Sequence, residues 1–151
     1  MNFICSGNIC QCSSAYSWDG TACALVTSIS PSATPLLTVL DNTVNPSSIY
    51  VSNSGFLTSI SIDVDITHTH QGDLRLVLTA PNGATVTLHN RTGGSNDNII
   101  GNYPVTIIPS QSLSIFNGIQ IQGTWTLTLY DEVANDSGLF ISWTLNLTFN
   151  I

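Results

Sequence analysis

His68 and His70 stand two residues apart in Ile66-Thr67-His68-Thr69-His70. On an extended strand they share one face, a spacing that suits a zinc pair. A structural histidine bonded to a nearby backbone carbonyl gives the same pattern without metal, and is the favoured reading. Asp63 and Asp65 also share a strand face, about 7 Å apart at two residues' rise. That suits paired-carboxylate catalysis, though a solvated sheet face explains it better. Asp131-Glu132-Val133-Ala134-Asn135-Asp136 packs three carboxylates and an amide into one loop. Hard divalent cations take such oxygens, so Asp131 and Asp136, joined by Asp97 from another loop, form a candidate calcium site. Calcium is the only cofactor the sequence suggests. A serine-protease centre needs Ser, His and Asp in mutual reach with an oxyanion hole. The chain has three histidines and no G-x-S-x-G elbow, so no catalytic residue is assigned.

The four cysteines run Cys5-x4-Cys10-x-Cys12-x10-Cys23, in a stretch too small for a hydrophobic core. In an oxidising compartment this is a disulfide staple. Three pairings are open, and a Cys10–Cys12 bridge is the most strained. Zinc fits less well, because metal fingers present C-x2-C pairs. Asn90-Arg91-Thr92, Asn135-Asp136-Ser137 and Asn146-Leu147-Thr148 are N-glycosylation sequons. Thr27, Ser28, Ser30, Ser32 and Thr34 are candidate O-glycan acceptors.

The chain of 151 residues carries a formal net charge of −7, with only 7% charged residues. An average soluble domain has about 25%. There is no Lys, and Arg75 and Arg91 are the only strong cations. Binding nucleic acid through phosphates, or anionic lipid through a basic patch, needs clustered cations that are missing here. Apolar content of 42% excludes a disordered chain. About a third of the residues are Ser, Thr or Asn. Such a neutral polar surface suits an extracellular protein covered by glycans or neighbouring copies better than a cytosolic one. No apolar window is long enough for a transmembrane helix. The start lacks the basic flank and apolar run of a signal peptide, so secretion would require a signal already removed or lying elsewhere.

Residues 1–26 hold the cysteines, 27–35 read as a Ser/Thr/Pro linker, and 36–151 read as strands and turns. Ile60, Ile62, Val64 and Ile66 alternate with polar residues. So do Trp125, Leu127 and Leu129, and Ile141, Trp143, Leu145, Leu147 and Phe149. Period two with one apolar face is a half-buried antiparallel strand. Leu36–Leu40, Leu74–Leu78, Val86–Leu88 and Val105–Ile108 read the same way. Gln71-Gly72-Asp73, Pro81-Asn82-Gly83, Gly93-Gly94, Asn117-Gly118 and Ser137-Gly138 mark turns. The expected fold is an all-β antiparallel sandwich with Trp125 and Trp143 in its core.

Two resemblances add to this reading. Cys5-Ser-Gly-Asn-Ile-Cys10-Gln-Cys12 through Cys23 resembles the second half of an EGF-like module, which implies a Cys12–Cys23 bridge and leaves Cys5 with Cys10. His68-Thr69-His70-Gln71-Gly72-Asp73-Leu74, then Pro81-Asn82-Gly83, Gly123-Thr124-Trp125, Asp136-Ser137-Gly138-Leu139 and Trp143-Thr144-Leu145 fall in order. Together they resemble the proprotein convertase P domain, bacterial type, over about residues 50–150. That resemblance implies a jelly-roll-like sandwich, a histidine at position 68, and a domain that trails subtilisin-like proteases. The stretch from Gly93 to Ser110 is shorter than that pattern.

Three functions are consistent with these features. The leading one is a glycosylated, non-catalytic extracellular module working by contact, with self-association or a neighbouring extracellular protein as partner, in a fibre or surface layer. The second is the regulatory P domain of a secreted serine protease. The third is a carbohydrate-binding module using Tyr50, Tyr103 or Tyr130.

Overall fold

The computed structural model describes residues 3–6, 9–18 and 22–151; side chains at 3–6, 9, 10 and 17 are not described. The order is β1 (Phe3–Ser6), β2 (Ile9–Cys12), β3 (Tyr16–Trp18), β4 (Cys23–Ile29), β5 (Ser32–Ala33), β6 (Leu37–Val39), β7 (Val44–Val51), β8 (Phe56–His68), β9 (Leu74–Thr79), β10 (Thr85–Asn90), β11 (Ile99–Tyr103), β12 (Gly123–Asp131) and β13 (Gly138–Asn150). Two short 3-10 turns, Gln71–Asp73 and Leu113–Phe116, are the helical elements among the described residues. One sheet runs β10-β9-β12-β7; the other runs β11-β8-β13-β4-β3, with β5 and β6 also on β13. All pairings are antiparallel. β1 and β2 form a separate hairpin whose register sets Cys5 opposite Cys10. The Cys5–Cys10 bridge itself falls on side chains outside the described residues. Cys12 and Cys23 are disulfide-bonded, so these two are not zinc ligands.

The alternating residues do what their period requires. Ile62, Ile66, Leu76, Leu78, Leu127, Leu129 and Leu145 are completely buried between the sheets. Trp125 and Trp143 lie in the core, and each indole N–H finds an acceptor, as buried tryptophans must. Trp125 Nε1 donates to the Ile121 carbonyl (3.0 Å) and packs edge-on against Phe116. Trp143 Nε1, on β13, donates to Ser47 Oγ (2.9 Å) on β7, which ties the two sheets across the core.

Two local expectations are corrected, and the 27–35 segment gains detail. Val105–Ile108 is not a strand. Pro104 and Pro109 bracket it and supply no N–H donors. The chain instead turns back, with Thr106 N and Ile107 N donating to the Asn102 carbonyl. The 27–35 stretch is extended, as a linker would be, but its first residues are hydrogen-bonded: Thr27, Ser28 and Ile29 of β4 pair with Phe149, Thr148 and Leu147. Ile141 is only half-buried because a bulge between Phe140 and Ser142 shifts the register and sends Phe140 inward.

Trp143→Phe removes the indole donor and leaves Ser47 Oγ unpaired in the core. Urea unfolding is expected to show a loss of about 1–3 kcal/mol; an unchanged midpoint would contradict the cross-sheet tie.

Candidate functional site

β8 ends at His68 in one sheet and β9 starts at Leu74 in the other, so residues 69–73 cross one end of the sandwich. Gly72 packs closely there. Its N–H donates to the Gly94 carbonyl (2.9 Å), and a Cβ would meet that oxygen at 3.1 Å and His70 Cε1 at 3.2 Å. Asp73 is buried, and its Oδ1 lies 3.1 Å from His70 Nδ1 without a well-formed hydrogen bond. The Asp73 carbonyl accepts from Glu132 N (3.0 Å), tying the turn to the end of β12.

The centre of this end is a pair with no side-chain exposure: His68 Nε2 lies 3.2 Å from Asp131 Oδ2. His68 closes β8 and Asp131 closes β12, so the pair joins the two sheets. His68 Nδ1 faces His70, 3.0 Å from its carbonyl and 3.2 Å from its N. Asp131 Oδ1 accepts from Val133 N (3.1 Å). A His–Asp contact is two-thirds of a hydrolytic triad. Here the second ring nitrogen is turned to backbone instead of a hydroxyl, and solvent cannot reach the ring. The arrangement orients and holds.

Around this pair, Arg75 spends its charge locally. Its Nε and Nη2 each lie 2.7 Å from Glu132 Oε1, and its guanidinium sits 3.8 Å from the Tyr130 ring centroid. Thr69 Oγ1 donates to Asp136 Oδ1 (2.6 Å), and Asp136 N donates to Asp41 Oδ1 (3.2 Å). His89, which sequence reading left without a role, is buried beside the same turn, with Nε2 3.0 Å from the Gln71 carbonyl. Burial lowers its pKa, against two backbone hydrogen bonds that raise it. All three histidines therefore lie at one end of the sandwich; the distance of His89 from the other two in the chain hides its place there.

The other expected positions are dispersed. Asp131 is sealed inside, Asp136 serves Thr69, and Asp97 stands in an exposed loop whose carbonyl accepts from Gln71 Nε2. Among the described residues no three His, Cys, Asp or Glu side chains form a metal-holding group. His68 and His70 do not chelate together: one bonds Asp131, the other faces Asp73. Asp63 takes Asn102 Nδ2 and Asn146 Nδ2, each at 2.7 Å, so the Asn146 sequon amide is engaged. Asn90 and Asn135 are exposed. Ser28, Ser30, Ser32 and Thr34 are exposed and Thr27 is half-buried; Ser28 Oγ lies 2.9 Å from Thr148 Oγ1. Tyr103 is fully buried, which raises its pKa and removes it as a sugar platform. Tyr130 lies under Arg75, and Tyr50 stays exposed.

The proprotein convertase P-domain profile matches residues 57–147. Leupeptin-inactivating enzyme 1 of Streptomyces exfoliatus is 42% identical over 82 residues, 54% of this chain and 17% of that protein. The calcium-dependent protease of Trichormus variabilis is 36% identical over 112 residues, 72% of this chain and 17% of that protein. The serine protease of Aeromonas sobria has the same fold over 83% of this chain and 27% of its own, with TM-score 0.63 and 15% identity. The chain thus spans 17% of the length of the two sequence relatives.

Asp131→Ala strands a buried imidazole and is expected to lower stability by about 3–5 kcal/mol. Glu132→Ala breaks only the half-exposed Arg75 pair and is expected to cost about 1 kcal/mol or less. Chemical denaturation of both variants checks this; equal losses would contradict the assignment of the buried pair as the anchor of this end.

Proposed function

The chain belongs to the proprotein convertase P-domain family, and from that premise we propose that it is a non-catalytic, extracellular module that lies against a protease and stabilises it. The observation that carries this reading is the match over residues 57–147 to a family whose named relatives here are proteases. The chemistry of the histidine end agrees with it. His68 and Asp131 are spent on each other inside the fold, and Arg75 is spent on Glu132 and Tyr130, so these side chains brace a surface. The Cys12–Cys23 disulfide suits an oxidising compartment. One relative is named calcium-dependent. Asp131, Asp136 and Asp97 do not fit a shared calcium site in this chain, because the Asp131 oxygens already face His68 and Val133.

The fibre and adhesive reading draws no support from the strand edges. Pro46 interrupts the β7 edge, Ser110 and Gln111 donate onto β10, and Thr106 and Ile107 donate onto β11. Such features hinder edge pairing along β7, β10 and β11. Asn90, at the end of β10, and Asn135 are the exposed sequon asparagines.

The test pairs the purified chain with a subtilisin-like protease from the same source. The chain alone is expected to hydrolyse no peptide substrate, and its addition to lengthen the protease's half-life at elevated temperature. Turnover by the chain alone, or a half-life unchanged at saturating chain, would overturn the proposal.

A further inference from the structure

We propose that Asn117 is a self-modification site: its side chain closes on the nitrogen of Gly118, and the product unfastens the 113–119 segment from β8. Only Asn82 and Asn117 precede a glycine in this chain. A residue without a Cβ leaves its own backbone nitrogen open to react with the preceding side-chain amide. Both pairs lie exposed in turns. Both glycine nitrogens donate to a carbonyl, Gly83 to Ala80 (2.9 Å) and Gly118 to Leu57 (2.8 Å). The side chains distinguish the two pairs. Asn82 Oδ1 accepts from Ala84 N (3.0 Å), which pins that amide in the turn between β9 and β10. The Asn117 amide has no hydrogen-bond partner among the described residues, so it turns freely toward the Gly118 nitrogen.

The reaction needs only water. Gly118 N bonds to Asn117 Cγ, and the amide nitrogen departs as ammonia, taking the proton that Gly118 N gives up. Water then opens the succinimide ring at either carbonyl, leaving aspartate or isoaspartate at 117. Either product puts a carboxylate into the stretch from Asn98 to Tyr130, which carries no charged residue. Isoaspartate also lengthens the main chain by a carbon. That change falls on a fastening. Leu57 of β8 holds this segment by both backbone groups: its N donates to the Ile119 carbonyl (2.9 Å) and its carbonyl accepts from Gly118 N. On the other side of Asn117, Phe116 is completely buried and packs edge-on against Trp125. The succinimide has no N–H at 118, and the longer chain cannot keep Phe116 seated and both Leu57 bonds in register. The bonds give way, because Gly118 lies in an exposed turn while Phe116 lies in the core.

Incubating the whole purified chain at mildly alkaline pH, beside a sample unfolded in urea, tests this by peptide mapping with mass spectrometry. In the folded chain Asn117 is expected to convert about 2–10-fold faster than Asn82, the worth of the hydrogen bond that holds Asn82. In urea the two rates are expected to converge. In the isoaspartate product, amide-exchange protection at Leu57 and Gly118 is expected to fall by about 2–10-fold, while Leu127 and Leu145 hold. Three results would each overturn the proposal: Asn82 converting as fast as Asn117 in the folded chain, Asn117 staying intact while the unfolded sample reacts to completion, or unchanged protection at Leu57 and Gly118 in the isoaspartate product.

Discussion

Two ionisable side chains with no solvent exposure must satisfy each other, and the His68–Asp131 pair meets that requirement at the end of the sandwich. An isolated buried carboxylate or imidazolium is expensive, while a hydrogen-bonded pair is tolerable. Because His68 belongs to one sheet and Asp131 to the other, meeting this requirement also sets the distance between the sheets there. The Asp73 turn docks on the residue after Asp131, the loop at 92–98 docks on that turn, and Arg75 docks on Glu132. Trp143 and Ser47 act as the matching tie nearer the middle of the core.

This arrangement separates two roles that a histidine, a carboxylate and a hydroxyl near one another invite. A catalytic histidine needs one face toward a reactant. His68 has both nitrogens occupied by protein and no exposed edge. The outer faces, by contrast, carry polar side chains held by short cross-strand bonds, few of them charged. Asp63 between Asn102 and Asn146 is one such set, and Ser48 Oγ with Thr126 Oγ1 (2.8 Å) is another.

Much of this was legible in the sequence, because period-two burial is a local signal. Ile60 to Ile66, Trp125 to Leu129 and Trp143 to Phe149 each declare their inward face within one strand. What stayed hidden depends on partners far along the chain. Ser28 looks like linker until Thr148, 120 residues away, is seen beside it. Asp131 looks like an open acidic loop, since nothing nearby says that His68, 63 residues back, turns toward it. His89 is a lone histidine among Thr and Leu, and only the crossing of residues 69–73 over the sandwich end gives it a carbonyl to hold. Val105–Ile108 misled for the opposite reason: its apolar composition is real, but the flanking prolines outweigh it.

The central claim is that His68 and Asp131 work as one unit. A double-mutant cycle with His68→Gln, Asp131→Asn and the combined variant, followed by chemical denaturation, measures this directly. The account predicts that the double variant loses less stability than the two singles summed, by at least about 1.5 kcal/mol. Losses that add to within about 0.5 kcal/mol would contradict it.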